Sequence, residues 1–305
     1  MDRPIVSIII PTYNYGRFLQ DALASLRKQS MQQWECIVVD DCSTDQTEDV
    51  VKSFAAEDSR FIYHRLERNS GVSAARNAGI AIAQGTFIQL LDADDAIAPD
   101  KLNIQVDYLQ LHPQVDLVYS DFFHFTETFY FNSAGEYAPD EKLNGSSDVV
   151  LKRLLRGNVF RMNTLLIRRK VFDQGGFIPE FRAVEDWEFW MRCAVFGFQF
   201  AYLDDSKAIS AVRVNPNGLS KDLRGMRRFY LPVLQHIWIQ NGVSLQVRNA
   251  LWLRYLLTFF DHLFFRKGDI RFIPERKTGF VLRLFLLGIF TWPFFFLYKL
   301  MRILR

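Results

Sequence analysis

Carboxylates gathered behind short apolar runs are the first chemistry visible in this 305-residue chain. Val6-Ser-Ile-Ile-Ile10 is followed by Pro11-Thr-Tyr-Asn14, Cys36-Ile-Val-Val39 by Asp40-Asp-Cys-Ser-Thr-Asp45, and Phe87-Ile-Gln-Leu-Leu91 by Asp92-Ala-Asp-Asp95. A lone aspartate in such a place is what helix capping needs. Six behind two strands exceed that need, and such a cluster repels itself unless a cation or a donor-rich ligand offsets it. A divalent cation is the expected answer, and oxygen-only ligands favour Mg2+ or Mn2+ over zinc. Further on, Glu185 and Asp186 open an amphipathic helix whose apolar positions are Phe189, Trp190, Cys193 and Phe196. A helix start lowers the pKa of an acid placed there, so Asp186 is expected to be ionised at neutral pH and ready to accept a proton.

The elements that position these groups alternate in type. Strands are expected at Val6–Ile10, Cys36–Val39, Phe61–His64, Phe87–Leu91 and Leu117–Ser120. Between them, helical periods run from Gly16 to Gln29, Thr44 to Phe54, Val72 to Ala83 and about Pro99 to Leu111. Strand and helix alternating at this spacing imply right-handed crossovers, an α/β class and a mainly parallel sheet. Ligands of such sheets bind beyond the carboxyl ends of the strands, where the acids lie. No GxGxxG opens the first helix and no GxxxxGK[ST] occurs, so dinucleotide and P-loop sites are unsupported.

The ordered set PTYN, VVDDxSTDxT, GxxxARNxG and LDADD, carried by Pro11–Asn14, Val38–Thr47, Gly71–Gly79 and Leu91–Asp95, resembles the family 2 glycosyltransferases. Gly175-Gly-Phe177 and Glu185-Asp186 resemble a later element of that family, and the likeness covers about residues 4–215. It implies a GT-A fold, Rossmann-like, with helices flanking a mainly parallel sheet. It also implies an inverting transfer of a sugar from a nucleotide donor, expected to be UDP-linked, with no covalent sugar–enzyme intermediate. Carried over residue by residue, Pro11 and Tyr13 belong to the donor site, with Tyr13 against the base. Asp41 accepts from the uracil imide with Asp40 beside it, and Arg76 and Asn77 line the donor pocket. Asp92-Ala93-Asp94 is the DxD signature: Asp94 approaches the metal on the diphosphate, and Asp92 contacts sugar or ribose and is counted with the metal site. Asp186 is the base, with Glu185 as the alternative. One departure is that Asn215 stands where many relatives have the histidine of an Arg-x-His element, and asparagine is a poorer metal ligand.

The chemistry explains the need for these groups. Breaking the anomeric carbon–oxygen bond leaves a diphosphate with concentrated negative charge, which a divalent ion stabilises. On the other side, an acceptor hydroxyl must lose a proton to a positioned carboxylate.

Composition bounds the rest. With 49% hydrophobic and 23% charged residues the chain is globular, and a net charge of +3 gives no sign of a nucleic-acid partner. Residues 221–305 hold 15 Lys/Arg against 4 Asp/Glu, so residues 1–220, with 22 basic and 30 acidic, carry −8. The expected division is therefore a catalytic domain at 1–220, with a nucleotide-binding half at about 1–125 and an acceptor half at about 126–220, followed by a basic aromatic helical tail at 221–305. Residues 245–305 contain fifteen aromatics, and Arg254, Thr258, Asp261 and His262 form one narrow polar stripe on an otherwise apolar helix. Leu284–Tyr298 is uncharged but short of the ~20 residues of a span, and Pro293 interrupts it. An interfacial anchor on anionic lipid is expected. The three cysteines form no metal motif, and no secretory signal opens the chain, so a reducing compartment is expected: the cytoplasm, at the inner face of the cell membrane. The partners expected are a nucleotide sugar, a glycan or lipid-linked glycan acceptor of cell-surface polysaccharide synthesis, and the membrane, with oligomerisation left open. Two alternatives stand beside this: transfer to a polyprenyl phosphate, and a non-catalytic membrane-associated scaffold on the same fold. A DxD phosphatase is disfavoured, because the Thr or Val that usually follows its motif is absent.

Overall fold

The structure, a computed structural model, describes residues 3–127, 131, 137–138, 142–145, 147–215, 223–240, 243 and 245–265. Strands β1 (Val6–Thr12), β2 (Trp34–Asp40), β3 (Phe61–Arg65), β4 (Phe87–Leu90), β6 (Leu117–Tyr119), β9 (Leu165–Arg168) and β10 (Phe200–Tyr202) form a seven-stranded sheet in the order β10-β6-β9-β4-β1-β2-β3. All its pairings are parallel except those of β9, which runs antiparallel to β4 and β6. Helices α1 (Gly16–Arg27), α2 (Thr47–Glu57), α3 (Val72–Ile82) and α4 (Lys101–Leu111) follow the first four of the expected strands, as the periodicities imply.

β1 is buried along its whole length, as a central strand covered on both faces must be. Its alternate residues enter different cores. Ile8 and Ile10 pack with Leu19, Leu23 and Leu26 of α1 and Leu102 and Val106 of α4, whereas Ile9 packs with Ala75 of α3 and with Trp190. Trp190 lies on α6 (Glu185–Val195), which also packs on α5 (Ser147–Leu154).

A second sheet of four strands, β5 (Ala96–Ile97), β11 (Ser210–Arg213), β7 (Phe122–Phe125) and β8 (Tyr137–Ala138), was not legible in the sequence. β5 occupies the stretch directly behind Asp95 and pairs antiparallel with β11, so α4 begins at Lys101 and not at Pro99.

The beginning of the basic aromatic segment belongs to the core of α6. After a short α7 (Leu223–Arg227), Val233, Leu234 and Ile237 of α8 (Tyr230–Trp238), and Val247 and Leu251 of α9 (Leu245–Phe265), are buried in it. Thr258 is buried on α9 and Leu253 is 56% exposed, so part of the expected polar stripe faces protein and not water. The reason is register: Thr258 lies seven residues beyond the buried Leu251, on the same face of the helix. One compact unit runs from Met1 to Thr258 and a second from Phe259 to Arg305. The expected anchor at Leu284–Tyr298 lies outside the described residues, and among the described residues no helix is long and apolar enough to cross a membrane.

Candidate active site

The site grows from the carboxyl ends of β1, β2 and β4. Leu91 donates its N–H to Ile9 O. Two residues on, Pro11 faces the same neighbour without an N–H, so the β1–β4 ladder ends and the chain beyond Leu91 turns away. Tyr13, just past β1, is 46% exposed and open to a ligand, and Asn14 behind it takes a left-handed turn at φ 55°. Asn14 Oδ1 accepts from Thr44 N at 2.8 Å, and Asn14 N donates to Ser43 Oγ at 2.8 Å, which ties the first loop to the second.

The acids behind β2 are held by internal partners. Asp40 is fully buried and accepts from Ser43 N (2.8 Å), Tyr63 OH (2.6 Å) and Arg65 Nη1 (3.1 Å). Asp45 accepts from the main-chain N–H groups of Gly16 and Thr47, both at 3.0 Å. Asp41 receives Ser70 N at 2.7 Å on one oxygen and Gly71 N at 2.8 Å on the other. It thereby fixes the turn into α3, where Gly71 adopts φ +88°, a conformation that only glycine takes at low cost.

Behind β4 the three aspartates differ. Asp92 keeps its side chain 39% exposed. Burial, with the charge of Asp92 added, pushes Asp94 up to about 6. Asp95 is buried and also raised, first by burial and then by Asp92 and Asp94. Its oxygens take Asn163 Nδ2 and Arg213 N, both at 2.8 Å, so Asp95 secures the turn instead of facing a ligand.

Arg76 joins this loop to α6. From α3 it reaches Asp92 Oδ1 at 2.9 Å with Nη2 and Glu185 Oε1 at 2.7 Å with Nη1, its side chain only 5% exposed. A buried ion pair of this kind is weak evidence for stability; its value here is that it connects the Asp92–Asp95 loop with the start of α6. Asp186 stands next to Glu185, accepting Asn158 Nδ2 on Oδ2 and Trp187 N on Oδ1, both at 2.7 Å. Burial and then the Glu185 charge push its pKa up to about 7, against the lowering effects of Trp187 N and Arg76. The expectation of a depressed pKa therefore fails: desolvation beside a second carboxylate outweighs the helix start.

Asn77, expected in the donor pocket, is engaged elsewhere. Its Nδ2 donates to Phe177 O at 2.7 Å and its Oδ1 accepts Phe177 N at 2.8 Å. Arg192 of α6 grips the same turn through Gly175 O at 3.0 Å and Gly176 O at 2.5 Å, and is itself paired with Glu188 at 2.8 Å. The Gly-Gly-Phe turn is thus the clamp between α3 and α6.

Sequence reasoning missed Tyr15, Asn158 and Asn163, and gave Arg213 no role beyond its place in the stretch that resembles an Arg-x-His element. Tyr15 OH accepts from Asn215 Nδ2 at 3.1 Å, and burial and the nearby Asp94 raise its pKa. Asn215 is therefore brought toward Asp94 through a phenol. The only advance signal was proximity to a motif, since the partners are up to 200 positions apart.

The donor set fits a hard divalent cation that brings further ligands with it. Burial and then the charge of Asp92 disfavour the ionised form of Asp94, and both side chains offer oxygen alone. Among the described residues no group of three or more His, Cys, Asp or Glu forms a closed cage.

The model of Glycosyl transferase family 2 matches residues 7–176, and the chain belongs to that family. Among its relatives is TuaG of Bacillus subtilis, a glycosyltransferase assigned to teichuronic acid biosynthesis, 33% identical over 64% of this chain and 74% of its own length. An uncharacterised glycosyltransferase of Methanocaldococcus jannaschii is 26% identical over 67% of this chain and 70% of its own length. In fold, the chain is similar to residues 1–349 of S. aureus TarS in complex with UDP-GlcNAc, with TM-score 0.67, 22% identity and coverage of 91% and 75%. It spans 46% of a longer TarS structure. The mannosyltransferase PcManGT of Pyrobaculum calidifontis, in complex with GDP-Man and Mn2+, matches at TM-score 0.59 and 16% identity, covering 97% of this chain and 84% of that one.

Proposed function

We propose that this family 2 glycosyltransferase moves a sugar, with inversion and metal assistance, from a UDP-linked donor to a glycan acceptor carried on a membrane lipid. The observation that carries the reading is the Asp92–Arg76–Glu185 bridge, which joins the donor-side acids to the helix that bears Asp186. The nucleotide would lie over the carboxyl ends of β1 and β2, its base against the exposed ring of Tyr13. Pro11, Asp40, Asp41 and Asn77 then serve the donor by shaping its loops, with Asp41 holding the Ser70–Gly71 amides. Asp94 and Asp92 would hold Mg2+ or Mn2+, which when bound supplies charge stabilisation to the leaving diphosphate. Asp186 takes the acceptor proton, and a midpoint near 7 suits a base that must accept and later release it. Asn158 orients that carboxylate through Oδ2.

The catalytic domain is proposed to work at the inner face of the cell membrane, with the basic aromatic residues beyond it on anionic lipid, which raises the local concentration of both partners. The test is a panel of nucleotide sugars offered to the purified protein with Mn2+, Mg2+ or chelator, followed by nucleoside diphosphate release and thermal stabilisation. Metal-dependent release from a UDP-sugar is expected, and Asp94→Ala should abolish it. A chain that releases no diphosphate from any donor is a scaffold, and full turnover in excess chelator rejects the metal-assisted step.

A further inference from the structure

We propose that Arg213 is the positioning residue for the Asp92–Asp95 turn, holding it at once to the first helix and to the strand that opens the acceptor half. The proposal rests on the reading of Asp94 as a cation ligand.

Arg213 closes β11, and its side chain is only 6% exposed. Its main-chain N–H donates to Asp95 Oδ1 at 2.8 Å and its Nε to the carbonyl oxygen of Asp94 at 3.1 Å. One terminal nitrogen pairs with Asp21 Oδ2 of α1 at 2.5 Å. The other donates to the carbonyls of Thr126 at 3.0 Å and Glu127 at 3.4 Å, just past β7. Phe18 of α1 and Phe125 of β7 flank the guanidinium, their centroids 5.0 and 4.4 Å from its carbon.

Three segments far apart in sequence therefore meet on one planar group. A guanidinium is suited to this: its donors diverge in a fixed fork, which a lysine ammonium cannot reproduce. Asn163 grips the second oxygen of Asp95 from the other side, so the turn is held between two fixed points. Asp94 is the residue directly before the one so held, and its own carbonyl is one of the bonded atoms. Fixing that peptide restricts where the Asp94 carboxylate can go, and a metal ligand must be held within a fraction of an ångström to bind well. Loosening the turn should weaken the ion and the diphosphate it bridges, and leave the base helix, which Arg76 anchors separately, as it is.

The experiment uses the full chain and Mn2+ as probe. Binding is followed by the electron paramagnetic resonance of free Mn2+ with UDP present, alongside UDP binding in chelator, melting temperature and the KM–kcat split. Arg213→Lys is expected to weaken Mn2+ binding by about tenfold or more, the effect of losing a charge-assisted hydrogen bond. UDP binding in chelator should stay within about twofold, the range of independent sites. The donor KM should rise more than kcat falls, and the pH midpoint of the base should not move. Asp21→Asn removes only an ion pair whose carboxylate is half exposed, so its effect on Mn2+ should be under about threefold. If Arg213→Lys does not fold, Arg213→Gln, which keeps one side-chain donor, is read in its place. Unchanged Mn2+ binding in the variant, with or without a fall in melting temperature, overturns the proposal and makes Arg213 merely structural. A wild-type chain that binds Mn2+ no better than Asp94→Ala overturns the cation reading, and this proposal with it.

Discussion

If Asp186 is the base, its environment sets the pH profile. Its pKa is pushed up to about 7 because burial and the adjacent Glu185 charge penalise the ionised form more than Trp187 N and Arg76 favour it. A single base with that midpoint is about one tenth ionised at pH 6, half at pH 7 and nine tenths at pH 8, so kcat/KM for the donor should rise about tenfold over that interval. This ratio reports the titration of the free enzyme. A helix start acting alone would put the midpoint at or below about 4 and leave the profile flat above pH 6. Asp186→Asn keeps the side chain's size and an oxygen to accept Trp187 N, but it cannot take a proton; it should cost at least about 100-fold in turnover and remove the rise. Donor binding should stay near normal. The linked effect on stability has a definite sign. A carboxyl whose pKa is raised on folding stabilises the fold below its unfolded value, and that contribution is lost as pH rises through about 7. Wild type should therefore lose stability relative to Asp186→Asn between pH 6 and pH 8, as urea titrations at both pH values can measure. A flat kcat/KM profile with full turnover in Asp186→Asn would refute the reasoning and return the role to Glu185.

Other expectations follow from the contacts around this group. Arg76→Met should move the acid limb of the profile to higher pH, since Arg76 lowers the proton affinity of Asp186, and should destabilise by about 3–5 kcal/mol by leaving Glu185 buried without its partner. An unshifted limb in calorimetrically folded protein would remove Arg76 from the electrostatics of the base. Gly176→Ala would drive a Cβ into Asn77 Oδ1 and should cost about 1–3 kcal/mol by opening the clamp between α3 and α6. A melting temperature equal to that of wild type would mean the turn yields freely. Ending the chain at residue 258 should preserve UDP binding and abolish flotation with anionic vesicles, whereas ending it at residue 244 should cost folding as well, because Val247 and Leu251 fill the α6 core at about 1.5–3 kcal/mol each. Flotation of the 258 truncation would remove the membrane role from the residues beyond it.

Most of the parallel sheet could be read from the chain because its central strands β1, β2 and β4 are buried along their length, which leaves continuous apolar runs such as Val6–Ile10 and Cys36–Val39. The second sheet could not. β5 is two residues long and β8 is two residues long, too short for any period to register. β11 reads Ser-Ala-Val-Arg, and its pairing with β5 joins residues more than a hundred positions apart. Nor could periodicity assign the faces of α9. A threonine on the packed side and a leucine in the open reverse the polarity that a helical wheel suggests, because the partner surface decides and not the helix.

For the site, the sequence located the acids but not how they divide their work. Asp40, Asp41, Asp92, Asp94 and Asp95 are the same residue type behind two strands, and only the structure separates a buried loop anchor at Asp40 from a half-exposed Asp92. The difference lies in where the cations and amides fall. Arg65 reaches Asp40, Arg76 reaches Asp92, and Arg213 reaches the main chain of Asp94, each from a different element. Asp94 has the least support of the three aspartates behind β4, with Asp92 bound to Arg76 and Asp95 bound to Asn163 and Arg213 N. That uneven distribution leaves Asp94 with its ionised form disfavoured by burial and by Asp92, a penalty that a bound cation would offset. The same distribution puts Arg76 beside Glu185, so that the charge state of the donor side is felt one residue away from the proposed base. A motif read as a string of acids is thus, in three dimensions, a graded set in which arginines decide which carboxylate is structural and which is left to react.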